Sequence, residues 1–277
     1  MMKNYFYILI LFTSIACNTK RQEVKIENEK ELISIGEVAT LHSSILNEDR
    51  NLNIYLPHGY HPDSTRTYNT IYLLDGSKEE DFKHITGLVQ FMQLSTQMQP
   101  TIVVGIENID RNRDFTHPSK DSLDTKDFPT HGGSEKFIRF LKEEAQPYIN
   151  KNYKTNNHTT LIGQSLGGLL ATEILLKNPS MFNDYIIVSP SLWWNEYRML
   201  KNIDSLLNNQ QFSNPNVFLS VGKEHPAMNQ IADDLAEKLT SKSDINCIYK
   251  PDYNEDHATI LHPAVHEAFK TLYKEEH

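Results

Sequence analysis

Cysteine is scarce. Cys17 and Cys247 are the only two in 277 residues, so a scaffold stapled by several disulfides is excluded. Positive charge is in deficit as well: 27 Lys and Arg stand against 36 Asp and Glu, a formal charge of -9. Binding a phosphate backbone demands a basic face, so nucleic acid is excluded as a partner. Electrostatic docking on anionic lipid is disfavoured for the same reason. No apolar run approaches the ~20 residues that a spanning helix needs. The 12 histidines show no zinc-ligand spacing, so no metal is implied, and nothing points to an organic cofactor. Internal repeats and low-complexity blocks are missing. What is present, 39% hydrophobic and 23% charged residues, suits one sizeable domain with a large single core.

The first segment reads as a leader. Lys3 precedes a short apolar run, Tyr5 to Ile15, and then Ser14-Ile15-Ala16-Cys17. A run this short is a signal-peptide core rather than a span. A small residue before a cysteine resembles a bacterial lipobox, although Ser14 stands where Leu is usual. The expected organisation is therefore a signal peptide at 1–16, a polar tether at 17–32 starting from lipidated Cys17, and one domain at 33–277. The protein would sit in the cell envelope, held to a membrane through lipid only and facing the periplasm or cell exterior. An ordinary cleaved signal peptide with an incidental cysteine is the alternative. Cys247, in the strand-like Ile245–Tyr249, reads as a small core residue rather than a reactive thiol.

Strand-like and helix-like segments alternate through the domain. Glu37–Ser44 and Asn51–Leu56 predict an antiparallel pair joined at Asn47-Glu48-Asp49-Arg50. Further strands are predicted at Thr70–Leu74, Thr101–Ile106, His158–Ile162, Tyr185–Ser189, Asn216–Val221 and Asn246–Tyr249. Helices are predicted from Ser134, as N-cap, to about Asn152 with a kink at Pro147, and over Leu166–Asn178, Asn195–Asn209, Met228–Ser241 and Leu261–Lys274. This alternation predicts an α/β fold: a mostly parallel central sheet with an N-terminal antiparallel pair and helices on both faces. Only one helix fits between Pro190 and Pro215, so no separate lid domain is expected there.

The sharpest motif is Gly163-Gln164-Ser165-Leu166-Gly167-Gly168, between a strand-like and a helix-like segment. That context makes it a nucleophile elbow, with Ser165 on a strained turn at a helix N-terminus. Serine is a weak nucleophile and needs a base. In an elbow-bearing fold the order is Ser, acid, His, so the base follows the last strand, at His257. His225, His262 and His266 are rivals in less suitable places. Glu224, the first carboxylate after Asn216–Val221, is the candidate acid that would orient the imidazole. Asp252, Glu255 and Asp256 are too local to buttress it easily, and a Ser–His dyad remains open. The oxyanion hole would take Leu166 N–H and a second donor after Leu73-Leu74-Asp75-Gly76-Ser77. Ser77 is the choice there, with Gly76 next.

With these residues placed, the chain resembles the putative-esterase family of α/β-hydrolases, nearest in its siderophore-esterase branch. The resemblance rests on IYLLDG (71–76), VVGIENIDRNRDFTHP (103–118), GGSEKFIRFLKEEAQPYINKNY (132–153), LIGQSLGG (161–168), SPSLWWN (189–195), VGKEH (221–225) and DHA (256–258). Gln164 departs from the His that many members carry. The resemblance implies that Ser165, Glu224 and His257 form a triad, with Ser77 and Leu166 at the oxyanion hole. It also implies a serine carboxylic-ester hydrolase acting on a bulky polar small-molecule ester, with a siderophore lactone as best candidate. A feruloyl or acetyl carbohydrate esterase is the alternative, and a non-catalytic binding lipoprotein a third reading that the intact trio opposes. No protein partner is identified. For substrate binding, Arg113 in the long segment 107–133 is the candidate for an anionic group, although an Arg–Asp pair that holds the loop is equally open. Trp193 and Trp194, at the C-terminal edge of the sheet, are candidates for stacking on a ring.

Overall fold

The structure is a computed structural model and describes residues 33–95 and 97–273. The leader (1–16) and the tether (17–32), Cys17 included, lie outside the described residues.

Eight strands form one sheet in the order β1-β2-β4-β3-β5-β6-β7-β8. β1 (Glu37–Ser43) and β2 (Glu48–Tyr55) pair antiparallel, from Glu37 opposite Ile54 to Ser43 opposite Glu48. Asn47 takes a positive φ of 57° in the turn between them, a conformation that asparagine tolerates. β2 also runs antiparallel to β4 (Thr101–Ile106). All other pairings are parallel: β3 (Tyr68–Leu73) with β4 and β5 (Thr155–Gln164), then β6 (Asp184–Val188), β7 (Asn216–Ser220) and β8 (Asn246–Tyr249). This is the expected α/β-hydrolase sheet. Every residue of β4 is buried, as a strand covered on both faces must be.

The helices divide between two faces. α1 (Phe82–Leu94) and α10 (Leu261–Leu272) cover one, where Ile85, Val89, Val265 and Phe269 meet Ile71, Val103 and Ile186. The other face packs Ile102, Val104 and Leu161 against the remaining large helices. Neighbouring residues of β4 thus point into different cores, as the two-residue period of a strand dictates. Between β4 and β5 come α2 (Arg111–Phe115), α3 (Ser122–Asp127), α4 (Ser134–Phe140), a π-helical turn (Leu141–Ala145) and α5 (Gln146–Asn152). The predicted 134–152 helix is therefore broken by the wide turn ahead of Pro147, which sits in the first turn of α5, where a missing N–H costs nothing. Gly133 rather than Ser134 takes the N-cap position. α6 (Leu166–Lys177) is buried along nearly its whole length and is the central helix of that layer.

The helix predicted at 195–209 is two: α7 (Trp194–Lys201) and α8 (Ile203–Asn208). Asn195, Glu196 and Tyr197 all have positive φ (51°, 51° and 63°), so the chain makes a left-handed turn before α7 proper. These two short helices, with the loops around them, separate β6 from β7, and neither forms a lid domain. α9 (Pro226–Thr240) precedes β8.

A buried ion cluster pins α2 to the hairpin. Arg50 on β2 has no exposed surface, and its Nη1 lies 2.8 Å from Asp114 Oδ2 and 2.9 Å from Glu48 Oε1. Its guanidinium also lies over the rings of Phe137 and Phe140, at 5.2 and 5.7 Å from their centroids.

Candidate active site

Parallel strands deliver their following loops to one edge, and the candidate residues meet there. Ser165 joins β5 to α6 with φ 57° and ψ -119°, a strained conformation of the kind stored at functional sites. The turn is tight because β5 and α6 nearly touch. A Cβ on Gly163 would stand 2.4 Å from Gly167 O, so only glycine fits. Ser165 N–H is satisfied by Val188 O at 3.1 Å. Its Oγ lies 3.3 Å from Ser191 Oγ, and Ser191 N–H bonds back to Ser165 O at 3.0 Å. Ser191, in the β6–α7 loop, is a site neighbour that sequence reasoning missed, although SPSLWWN carries it.

His257 and Glu224 are brought together across two loops. Nδ1 of His257 stands 3.1 Å from Oε1 of Glu224; the imidazole is 46% exposed and the carboxylate 6%. That oxygen receives no aligned hydrogen bond, so the contact lies slightly off the line of a hydrogen bond. The Glu224 carboxylate raises the His257 pKa above the ordinary histidine value, against the opposing effect of burial. The loops are tied directly, by Lys223 N–H to Glu255 O at 2.6 Å and Asp252 N–H to Val221 O at 2.9 Å. Asn229 on α9 adds two bonds, its Nδ2 to Gly222 O and its Oδ1 from Glu224 N–H.

The rival groups are engaged elsewhere. Asp256 Oδ1 accepts from the amides of Ala258 and Thr259, and Asp252 Oδ1 from Asn254. His225 caps α9, accepting from Ala227 N–H. His262 faces His84.

Ser165 and His257 line one cleft of about 370 Å³ with Asp75, Glu80, Asp81, Arg111, Gln164 and Ala258. Gln164 donates its side-chain amide to His257 O, so the residue before the elbow serine holds the histidine loop. The two candidate oxyanion donors follow neighbouring strands: Ser77 comes after β3 and Leu166 after β5. Among the described residues neither amide donates to a protein acceptor, which leaves both free for a ligand oxygen. The N-terminus of α6 adds its positive dipole end at Leu166.

The three predicted substrate contacts are not at this cleft. Arg113 is committed to Glu48 (Nη2 to Oε1, 2.6 Å) and Asp114 (Nε to Oδ1, 2.7 Å), so it belongs to the Arg50 cluster and holds the loop. The cation beside Ser165 is Arg111, whose Nε and Nη2 grip Asp75 at 2.6 and 2.8 Å and whose Nη2 also reaches Gln164 O at 3.4 Å. Trp194 is fully buried and donates Nε1–H to His117 O at 2.8 Å. Trp193 borders a separate hollow of about 600 Å³ with Phe128 and Tyr197. A larger hollow, about 720 Å³ between residues 117–121 and 195–206, holds neither Ser165 nor His257. Chemistry rather than size therefore selects the smaller cleft.

An eight-stranded α/β-hydrolase sheet with a serine on a strained strand–helix turn and a histidine–carboxylate contact beside it defines a serine-hydrolase architecture. The family described as "Putative esterase" matches residues 43–267, and the chain belongs to it; it is a carboxylic-ester hydrolase. A ferri-bacillibactin esterase of Bacillus subtilis (strain 168) is 32% identical over 248 residues, covering 81% of this chain and 85% of that one. An IroE-like serine hydrolase from Shewanella oneidensis superposes with a TM-score of 0.79 at 28% identity, covering 86% of this chain and 80% of the other. The BES protein from Bacillus cereus gives 0.76 at 29% identity, over 90% and 99% of the two chains.

Proposed function

We propose that this protein hydrolyses a siderophore lactone, using Ser165 as nucleophile, His257 as base and Glu224 as the carboxylate that orients it. The observation that carries the chemistry is the contact between His257 and buried Glu224, in one cleft with a serine held in a strained turn. Support for the substrate comes from relatives named for siderophore hydrolysis, the ferri-bacillibactin esterase first among them.

In the first step Ser165 Oγ attacks the ester carbonyl carbon while His257 Nε2 accepts its proton. The oxyanion is held by the amides of Leu166 and Ser77. Collapse breaks the ester bond, and His257 returns the proton to the leaving alkoxide. A water, deprotonated by His257, then attacks the acyl carbon; the acid is released and Ser165 regains its proton. Glu224 stays ionised and stabilises the imidazolium.

One observation favours the second reading, a neutral carbohydrate ester. Among the described residues the cleft carries Asp75, Glu80 and Asp81 against one cation, Arg111, whose charge Asp75 already neutralises. The test is mass spectrometry of a catecholate trilactone incubated with wild type and Ser165→Ala. Linear hydrolysis products with wild type alone support the proposal. An intact trilactone after exhaustive incubation overturns it.

The organisation read from the sequence completes the proposal: a leader at 1–16, diacylated Cys17, a tether to 32 and an envelope-facing esterase domain. Two acyl chains anchor stably where one binds only marginally. Loss of membrane association in Cys17→Ser supports this, and unchanged association contradicts it.

A further inference from the structure

Beside the cleft, α1 and α10 bring two histidines together, their rings tilted at 42°. His84 Nδ1 and His262 Nδ1 are 3.4 Å apart. The contact is long for a ring-to-ring hydrogen bond, in which the N–H donor ordinarily sits about 2.7–3.2 Å from its acceptor. Two imidazole nitrogens on one tetrahedral ion, each about 2.0–2.1 Å from it, stand roughly 3.3–3.4 Å apart.

From this geometry we infer that His84 and His262 form a site for a divalent first-row transition ion such as Zn2+, bridging α1 to α10.

Two further features fit a ligand pair. His84 Nε2 lies 3.0 Å from Asp81 Oδ1. A carboxylate there keeps the proton on Nε2 and leaves the Nδ1 lone pair to the ion, as in many metal-ligating histidines. Both helices are rigidly set, since α1 and α10 pack through Ile85, Leu88, Ala264 and Val265 in one core. Among the described residues no cluster of three or more His, Cys, Asp or Glu could hold a metal. A bound ion would therefore keep water in its remaining positions and exchange readily. It would pin the start of α10, four residues beyond His257, to the helix that follows Asp81 of the cleft. The site stands apart from ester hydrolysis and does not depend on it.

The test is calorimetric titration of metal-free protein with Zn2+ alone, with EPR of bound Cu2+ to count nitrogen donors. Wild type should bind Zn2+ and melt several degrees higher when saturated. His84→Ala and His262→Ala should each weaken binding at least tenfold, keep the metal-free melting temperature and esterase rate, and reduce the two Cu2+ nitrogens to one or none. If either alanine variant fails to fold, His84→Gln or His262→Gln takes its place. Zn2+ affinity unchanged in the variants, or no binding by wild type at about 1 mM Zn2+, overturns the inference.

Discussion

Gln164, the residue before Ser165, donates its side-chain amide to the backbone carbonyl of His257, so the elbow and the histidine loop are tied by one hydrogen bond. That bond fixes where the proposed base sits.

Gln164→Ala should therefore reduce kcat/KM without touching the nucleophile. A neutral hydrogen bond contributes about 1 kcal/mol net, which corresponds to roughly a fivefold loss. Steady-state kinetics beside fluorophosphonate labelling of Ser165 checks this. Unchanged kcat/KM would show that the tether does not position the base.

The raised pKa of His257 fixes a pH dependence. The base form is the active one, so kcat/KM rises with pH through the His257 pKa. That midpoint should lie above 6.5, because the Glu224 carboxylate stabilises the imidazolium. Glu224→Gln removes the negative charge and should move the midpoint to lower pH, while also lowering the plateau. A midpoint that stays put in the variant would remove Glu224 from the proposed triad.

Replacing His257 by Ala should cost about as much as replacing Ser165, roughly a millionfold in kcat, because the two act as a unit. Glu224→Ala should cost less, on the order of ten-thousandfold. Asp252→Ala and Asp256→Ala should cost far less than either, since both carboxylates serve local turns. If the Asp256 variant were the more damaged one, the acid would be misassigned.

Stability should depend on the buried cluster behind α2. Arg50→Ala would strip one carboxylate oxygen of buried Asp114 of its cation and remove the guanidinium from Phe137 and Phe140. Breaking such a pair from one side costs about 3–5 kcal/mol. The urea midpoint should fall accordingly, and a loss under about 1 kcal/mol would mean that Arg113 alone compensates.

Contiguous features were legible in the sequence. The elbow is a strand, a turn and a helix in one stretch of chain, and strand order points to Glu224 and His257. Features set by distant partners were not. Arg111 and Arg113 lie two residues apart on α2. Which one faces the cleft is decided by Asp75 after β3 and Glu48 on β2, neither of them near in sequence. The left-handed run Asn195–Tyr197 has no glycine to announce it. It is held from outside, by Asn195 N–H bonding to Asp124 Oδ2 and Asn195 Nδ2 to Pro118 O. α1 carries apolar residues at helical spacing (Ile85, Leu88, Val89, Met92), but Gly87 and the β-branched Ile85, Thr86 and Val89 dilute the helix signal.

The central claim is that this cleft is built for a siderophore lactone, and a competition of substrates addresses it most directly. The measurement is kcat/KM for a catecholate trilactone, with and without iron, against feruloyl and acetyl sugar esters, with Ser165→Ala as the blank. We predict that the trilactone is preferred by at least tenfold, about 1.4 kcal/mol in transition-state binding. A tenfold preference for a sugar ester would contradict the account and make the protein a carbohydrate esterase.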